Sequence, residues 1–198
     1  MNKRIVLASS NPGKLREFAQ ILSTFHLEVV PQNQWNVPEV AETGLSFVEN
    51  ALIKARHAAH HTGLPALSDD SGIEVDALEG APGIYSARFA GPGASDDENN
   101  QLLLEKLQSV PHHQWTARYH CVIVYMRHQN DPIPLIYQGT WEGQIVPEPR
   151  GKNGFGYDPF FYVPTHQCTA AQLAPEVKNQ LSHRGQALRA LQTDFEKM

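Results

Sequence analysis

Cysteine, long apolar runs and a basic excess are all scarce in this 198-residue chain, and each shortage narrows its chemistry. The two cysteines, Cys121 and Cys168, form no Cys-x-x-Cys pair, which argues against a disulfide framework or a thiolate zinc site. No run reaches the roughly 18 apolar residues needed to span a bilayer, and the start lacks the long apolar segment and cleavage site of a secretory signal. A cytoplasmic protein with no membrane partner is expected. The net charge of -5 argues against a polyanion-binding surface, so nucleic acid is not an expected partner, and basic residues that cluster anyway point to a small anionic ligand. The ten histidines form no His-Glu-x-x-His or Cys/His pattern, so a histidine metal site is not expected. At this length one domain over residues 1–198 can bury roughly 70% of its unfolded surface.

What is present centres on residues 67–72, LSDDSG. Residues 63–68 read as a turn and a short apolar strand, which delivers Asp69 and Asp70 side by side at its tip, before Ser71 and the breaker Gly72. Adjacent carboxylates repel, and a cation offsets that repulsion; oxygen ligands suit Mg²⁺, with Mn²⁺ as a substitute. An Asp-rich turn is the plainer reading of the same four residues.

Residues 4–9 (RIVLAS) read as a strand, and Leu15, Phe18, Ala19, Leu22 and Phe25 follow at helical spacing. Ser10, Asn11, Pro12, Gly13 and Lys14 then form a strand-to-helix turn, where free N–H groups, the helix dipole and a lysine suit phosphate. It is not a Walker A loop, because Ala8 and Leu15 stand where that pattern needs glycine and Ser or Thr. Ser46 with Glu49 makes a capping box that opens a helix closed by Gly63. Its polar stripe of Asn50, Lys54 and His57 is either a solvated face or part of a site. Glu42, just before this helix, is a candidate third metal carboxylate. Residues 73–78 alternate as another strand, Ser95 with Glu98 opens a further helix, and residues 115–127, 134–138 and 141–146 read as strands, the last two separated by Gly139. The sum is a mixed α/β sheet with an antiparallel portion. Asp96 and Asp97 have a sufficient explanation in the first turn of their helix.

In residues 150–161 (RGKNGFGYDPFF), glycines around Phe155 leave a ring that either stacks on a base or turns inward. Further on, Ser182 is an expected N-cap, which sets His183 and Arg184 at a helix N-terminus, where cations oppose the dipole and hint at an anionic or oxygen-rich ligand.

A phosphate turn, a carboxylate cluster and an aromatic segment with an arginine match the three parts of a nucleoside triphosphate. At these residues the chain resembles the inosine triphosphate pyrophosphatases, which remove dITP, ITP and XTP. Residues 9–14 (SSNPGK) match that family's Thr/Ser-x-Asn-x-x-Lys loop, residues 68–72 its Asp-Asp-Ser-Gly, residues 155–159 its Phe-Gly-Tyr-Asp-Pro and residues 182–185 its Ser-His-Arg-Gly. Ser10 stands where many members have glycine. The resemblance implies a mixed central sheet flanked by helices, a deep cleft between two lobes, and a homodimer. It implies Asp70 as general base and Mg²⁺ ligand, with Glu42 and Asp69 helping to hold the metal. Ser9, Ser10, Asn11, Pro12, Gly13, Lys14, Lys54 and Lys178 would bind the triphosphate, and Ser71 the phosphates or sugar. Phe155, with Gly156 and Tyr157 beside it, would stack on the purine while Asp158, His183 and Arg184 read its polar edge. The implied reaction is cleavage between the α and β phosphates, which keeps deaminated bases out of DNA and RNA. Two rivals are a dehalogenase-like phosphatase, whose Asp-x-Asp is not met here, and a non-catalytic nucleotide-binding module, which would not need paired carboxylates.

Overall fold

The computed structural model describes residues 4–23 and 28–195. Seven strands form one mixed sheet in the order β2-β1-β3-β4-β5-β6-β7. They are β1 (Arg4–Ala8), β2 (Glu28–Pro31), β3 (Ala66–Val75), β4 (Thr116–Met126), β5 (Leu135–Ile145), β6 (Phe161–Val163) and β7 (Cys168–Thr169). β1 runs parallel to β2 and to β3, with Ile5 opposite Val29 and Leu7 opposite Leu67, whereas β5–β6 and β6–β7 are antiparallel. The helices are α1 (Pro12–Leu22), α2 (Phe47–Thr62), α3 (Asp96–Leu107), α4 (Pro175–Leu181) and α5 (His183–Phe195).

Two expected breaks do not occur. β3 continues through Gly72, and β5 through Gly139, so in both places the strand outlasts the weakening an interior glycine brings. β2 was not anticipated. It is short, and its Pro31 is tolerated because the strand lies at the sheet edge. On α1, Phe18 and Leu22 are buried as expected, Ala19 is exposed, and Phe25 lies outside the described residues. The caps are as expected: Ser46 accepts from Glu49 N, Gly63 closes α2, and Ser95 forms a capping box with Glu98.

The chain divides into two compact units. The first comprises residues up to 70, 121–139 and from 184; the second comprises 71–120 and 140–183. Strand alternation builds the first unit's core on both faces of its sheet. Ile5, Leu7, Leu67, Cys121 and Ile123 pack with Phe18 of α1 and Leu188 of α5. Their neighbours Val6, Ala8, Ala66, Val122 and Val124 pack with Ala51, Ala55 and Ala58 of α2. In the second unit, Trp115, Tyr119, Trp141 and Phe161 pack with Leu103 and Leu107 of α3.

The connection from β4 to β5 is closed by Asp131. Its buried carboxylate accepts from the backbone N–H of Arg127 (2.9 Å) and of Ile133 (3.1 Å), and from the Arg127 guanidinium. The Arg127 side chain, aided by those N–H groups, holds Asp131 well below the usual carboxylate range. Asp131→Ala is expected to lower the Tm by about 4 °C at neutral pH, because it strands two backbone donors. The folded pKa is depressed, so the stabilisation is complete above the unfolded value. The gap to wild type should therefore shrink as pH falls below about 4. Thermal melts across pH check this, and a gap that widens in acid would refute it.

Candidate active site

In the first unit, β3 sends Asp69 and Asp70 to opposite faces of the sheet, because successive side chains on a strand alternate. The two acids therefore meet different side chains, Asp69 meeting Lys14 and Arg184 and Asp70 meeting Lys54. This corrects the expected strand tip with paired carboxylates: both stand inside a ten-residue strand.

Asp69 lies on the face covered by α1 and α5. α1 begins where Asn11 caps it, its side-chain oxygen accepting from Lys14 N at 3.0 Å, with Pro12 in the first position. Ser9 Oγ accepts from Asn11 N (3.3 Å) and Ser10 Oγ from Gln32 Nε2 (3.0 Å), while Gly13 is buried. Lys14 reaches Asp69 Oδ1 at 2.6 Å. Arg184, on the first turn of α5, donates Nε and Nη2 to Asp69 Oδ2 (3.3 and 3.1 Å) and Nη1 to Glu17. The Cys121 thiol donates to the same Asp69 oxygen at 3.5 Å. Burial pushes Asp69 up, but Lys14, Arg184 and Lys54 outweigh it and hold the carboxyl well below the usual range. Burial, together with the neighbouring Asp69 charge, raises the Cys121 thiol well above its ordinary value.

Asp70 lies on the α2 face. Lys54 Nζ sits 2.7 Å from Asp70 Oδ1 and 2.8 Å from Glu42 Oε1. Burial raises the Asp70 pKa despite Lys54, which makes it a stronger base than an ordinary aspartate. Burial opposes the charge on Lys54, yet Asp70, Asp69 and Glu42 together raise its pKa. The α2 stripe explains how Glu42 arrives. Asn50 Oδ1 accepts from Gly44 N (2.8 Å), Lys54 meets Glu42, and His57 Nε2 contacts the Pro38 carbonyl at 2.8 Å. Three side chains at i, i+4 and i+7 thus hold residues 38–44 along the helix, and the stripe is not simply solvated.

This arrangement bears on the metal. Among the described residues no three acids, histidines or cysteines converge on a metal-binding point, so the expected trio of Glu42, Asp69 and Asp70 is not assembled. Asp69 drops out, being committed to Lys14 and Arg184 on the other face. Glu42 and Asp70 do converge on one positive charge, the Lys54 ammonium. Two carboxylates completed by substrate phosphates and water fit Mg²⁺, which seldom takes an all-protein cage.

The second unit holds the remaining expected residues. Ser71 follows Asp70 in β3 and is half-buried. Phe155 is half-buried before Gly156, whose φ of 62° lies in the left-handed region that glycine adopts without strain. Asp158 accepts from Lys178 Nζ (2.5 Å), from Phe155 N (2.9 Å) and from the Tyr119 hydroxyl (3.4 Å). A Cβ on Gly154 would stand 2.0 Å from Asp158 Oδ2, so only glycine admits this carboxylate. The Lys178 ammonium also lies 5.1 Å from the centroid of the Phe155 ring, a cation–π contact. The His183 ring stacks on Tyr119, centroids 4.7 Å apart and planes 8° apart.

Three of the expected residues are held by partners within the protein. Lys178, expected on the triphosphate, stands with Asp158 and Phe155. Arg184, expected at the purine edge, stands fully buried against Asp69 and Glu17. Tyr157 gives its side chain to the core and donates its hydroxyl to the Ser86 carbonyl at 2.8 Å. Sequence reading missed Glu17, although its position three residues after Lys14 places it on the same helix face.

A family model described as the Ham1 family matches residues 5–194. The chain is 60% identical over 189 residues to the dITP/XTP pyrophosphatase of Vibrio parahaemolyticus serotype O3:K6, covering 96% of this chain and 94% of that protein. It is 58% identical over 189 residues to that of Yersinia pestis, covering 96% of each. Among solved structures, a HAM1 protein from Coxiella burnetii superposes with a TM-score of 0.91 at 54% identity, covering 99% of this chain and all of that one. A nucleoside-triphosphatase / dITP/XTP pyrophosphatase from Mycobacterium abscessus gives 0.74 at 43%, covering 95% and 98%.

Proposed function

The chain belongs to the Ham1 family, and on that premise we propose that it hydrolyses dITP, ITP and XTP to the nucleoside monophosphate and pyrophosphate with Mg²⁺. It is a nucleoside-triphosphate pyrophosphatase. The observation that carries the reading is the pair of lysine–carboxylate assemblies flanking β3, one on each face. Lys14 and Lys54 take the triphosphate and stabilise the leaving pyrophosphate, while Asp70 accepts the proton of the attacking water. Glu42 and Asp70 would hold Mg²⁺, or Mn²⁺ in its place; when bound, the ion supplies Lewis-acid neutralisation of phosphate charge. Asp69 fixes Lys14, and Arg184 with Glu17 fixes Asp69. Ser9, Ser10, Asn11, Pro12 and Gly13 shape the phosphate turn, and Ser71 contacts phosphate or sugar.

In the second unit, Phe155 stacks on the purine, with Lys178, Asp158 and His183 near its edge. An ammonium can only donate, so Lys178 suits a 6-keto oxygen and meets the 6-amino group of adenine donor to donor. Discrimination by such polar groups reaches about 10² or more. The test is kcat/KM for dITP and dATP with Mg²⁺. A strong dITP preference is expected, and equal values would overturn the reading. Removal of deaminated triphosphates keeps those bases out of nucleic acid. We place the enzyme in the cytoplasm as a homodimer acting on free nucleotides; among the described residues no helix is long and apolar enough to cross a membrane.

Lys14→Ala should lower kcat/KM for dITP by about 10²-fold, with KM rising and kcat falling together, because phosphate charge grows as pyrophosphate leaves. Steady-state kinetics check it, and unchanged constants would remove Lys14 from phosphate binding.

A further inference from the structure

Helix α3 opens with two aspartates whose charge suits the helix dipole equally, and among the described residues Asp96 is the one bonded to the loop that carries Phe155. Asp96 Oδ2 accepts from the Gly156 N–H at 2.7 Å. One turn later Asn100 donates Nδ2 to the Gly156 carbonyl at 3.0 Å and to the Asp96 carbonyl at 2.9 Å. Both polar backbone groups of Gly156 are therefore taken by side chains at i and i+4 on one helix face. A residue in the left-handed region has no regular ladder to join, so this pair supplies what secondary structure does not. On the preceding side, Phe155 N is tied to Asp158. On the following side, the Tyr157 hydroxyl is tied to Ser86. The Phe155 ring thus hangs from a peptide anchored before, at and after Gly156. Asn100 is itself buried, and its neighbour Asn99 joins α3 to residues 87–90 by accepting from Ala90 N and donating to the Ala87 carbonyl.

We infer that Asp96 and Asn100 are positioning residues for base recognition: they hold the Gly156 peptide so that the Phe155 ring stands ready for the purine. This rests on the proposed role of Phe155. Loss of the clamp leaves the chemistry intact and makes binding restore an order that wild type already has. KM for dITP should then rise while kcat holds.

The test compares Asp96→Ala, Asn100→Ala, Asp96→Asn and Asp97→Ala, each alone and combined with Phe155→Ala. Asp96→Ala and Asn100→Ala should each raise KM for dITP by about 3- to 10-fold, the scale of one hydrogen bond, with kcat within about 2-fold. Asp96→Asn keeps an oxygen acceptor and should stay near wild type. Asp97→Ala removes an equal charge from the same turn and should also be silent, which separates the clamp from the helix dipole. In the Phe155→Ala background the clamp variants should add nothing further. Hydrogen exchange on the ligand-free protein should show faster exchange of the Gly156 amide in Asp96→Ala. If Phe155→Ala itself leaves KM unchanged, the purine role fails and the inference falls with it. If Phe155→Ala raises KM while the clamp variants are silent, or act equally in its absence, the inference alone is overturned.

Discussion

Asp70→Asn is expected to lower turnover of dITP by at least about 10²-fold, the scale of a lost general base or metal ligand. The side chain is nearly isosteric, and its Oδ1 can still accept from Lys54, which keeps Glu42 as a second partner. Burial already disfavours the charge on Asp70, so its removal should leave the Tm within a few degrees of wild type. What disappears is the charge and the basic lone pair on the α2 face of β3. Kinetics and thermal melting together give the test: a folded variant with near wild-type turnover would exclude Asp70 from the chemistry. Asp69→Asn makes the informative contrast. It should loosen Lys14 and Arg184 and lower stability as well, because two cations then face one neutral amide.

Asp158→Ala should damage both stability and selectivity. Its carboxylate is buried and meets the equally buried Lys178 ammonium at 2.5 Å, while also accepting from Phe155 N and the Tyr119 hydroxyl. Breaking a buried pair from one side leaves an uncompensated charge and costs about 3–5 kcal/mol. The same change frees Lys178 from the place where it meets the Phe155 ring, so the preference for dITP over dATP should collapse toward parity. Asp158→Asn, which keeps an acceptor, should recover part of both losses. Melting curves and the kcat/KM ratio check this. A wild-type Tm with an unchanged ratio would remove Asp158 from both roles.

Local signals were legible in the sequence where local chemistry decides the outcome. Ser46, Ser95 and Gly63 cap helices because their own side chains or backbone satisfy the helix ends. The run of residues 115–127, rich in β-branched and aromatic residues, reads as a strand without further context, and β4 lies within it. The candidate site was legible as a set of residues and not as an arrangement. Asp69 and Asp70 looked like one ligand pair until β3 proved continuous and alternation sent them to opposite faces. Gly72 and Gly139 looked like breaks because a glycine's neighbours across the sheet are invisible in a single chain. Arg184 sat beside His183 in a motif, yet it is buried against Glu17, 167 positions away in sequence. Partners that distant follow from packing, which no local pattern encodes. Asp96 was fully accounted for by its helix, and so its bond to Gly156 went unseen.

The most direct test of the central claim is product analysis. The protein is incubated with dITP and Mg²⁺, and the phosphorus products are identified by NMR or ion-exchange chromatography. Cleavage between the α and β phosphates predicts dIMP and pyrophosphate in equal amounts, with no orthophosphate released at early times. Release of orthophosphate with dIDP, or binding without turnover, would contradict the account.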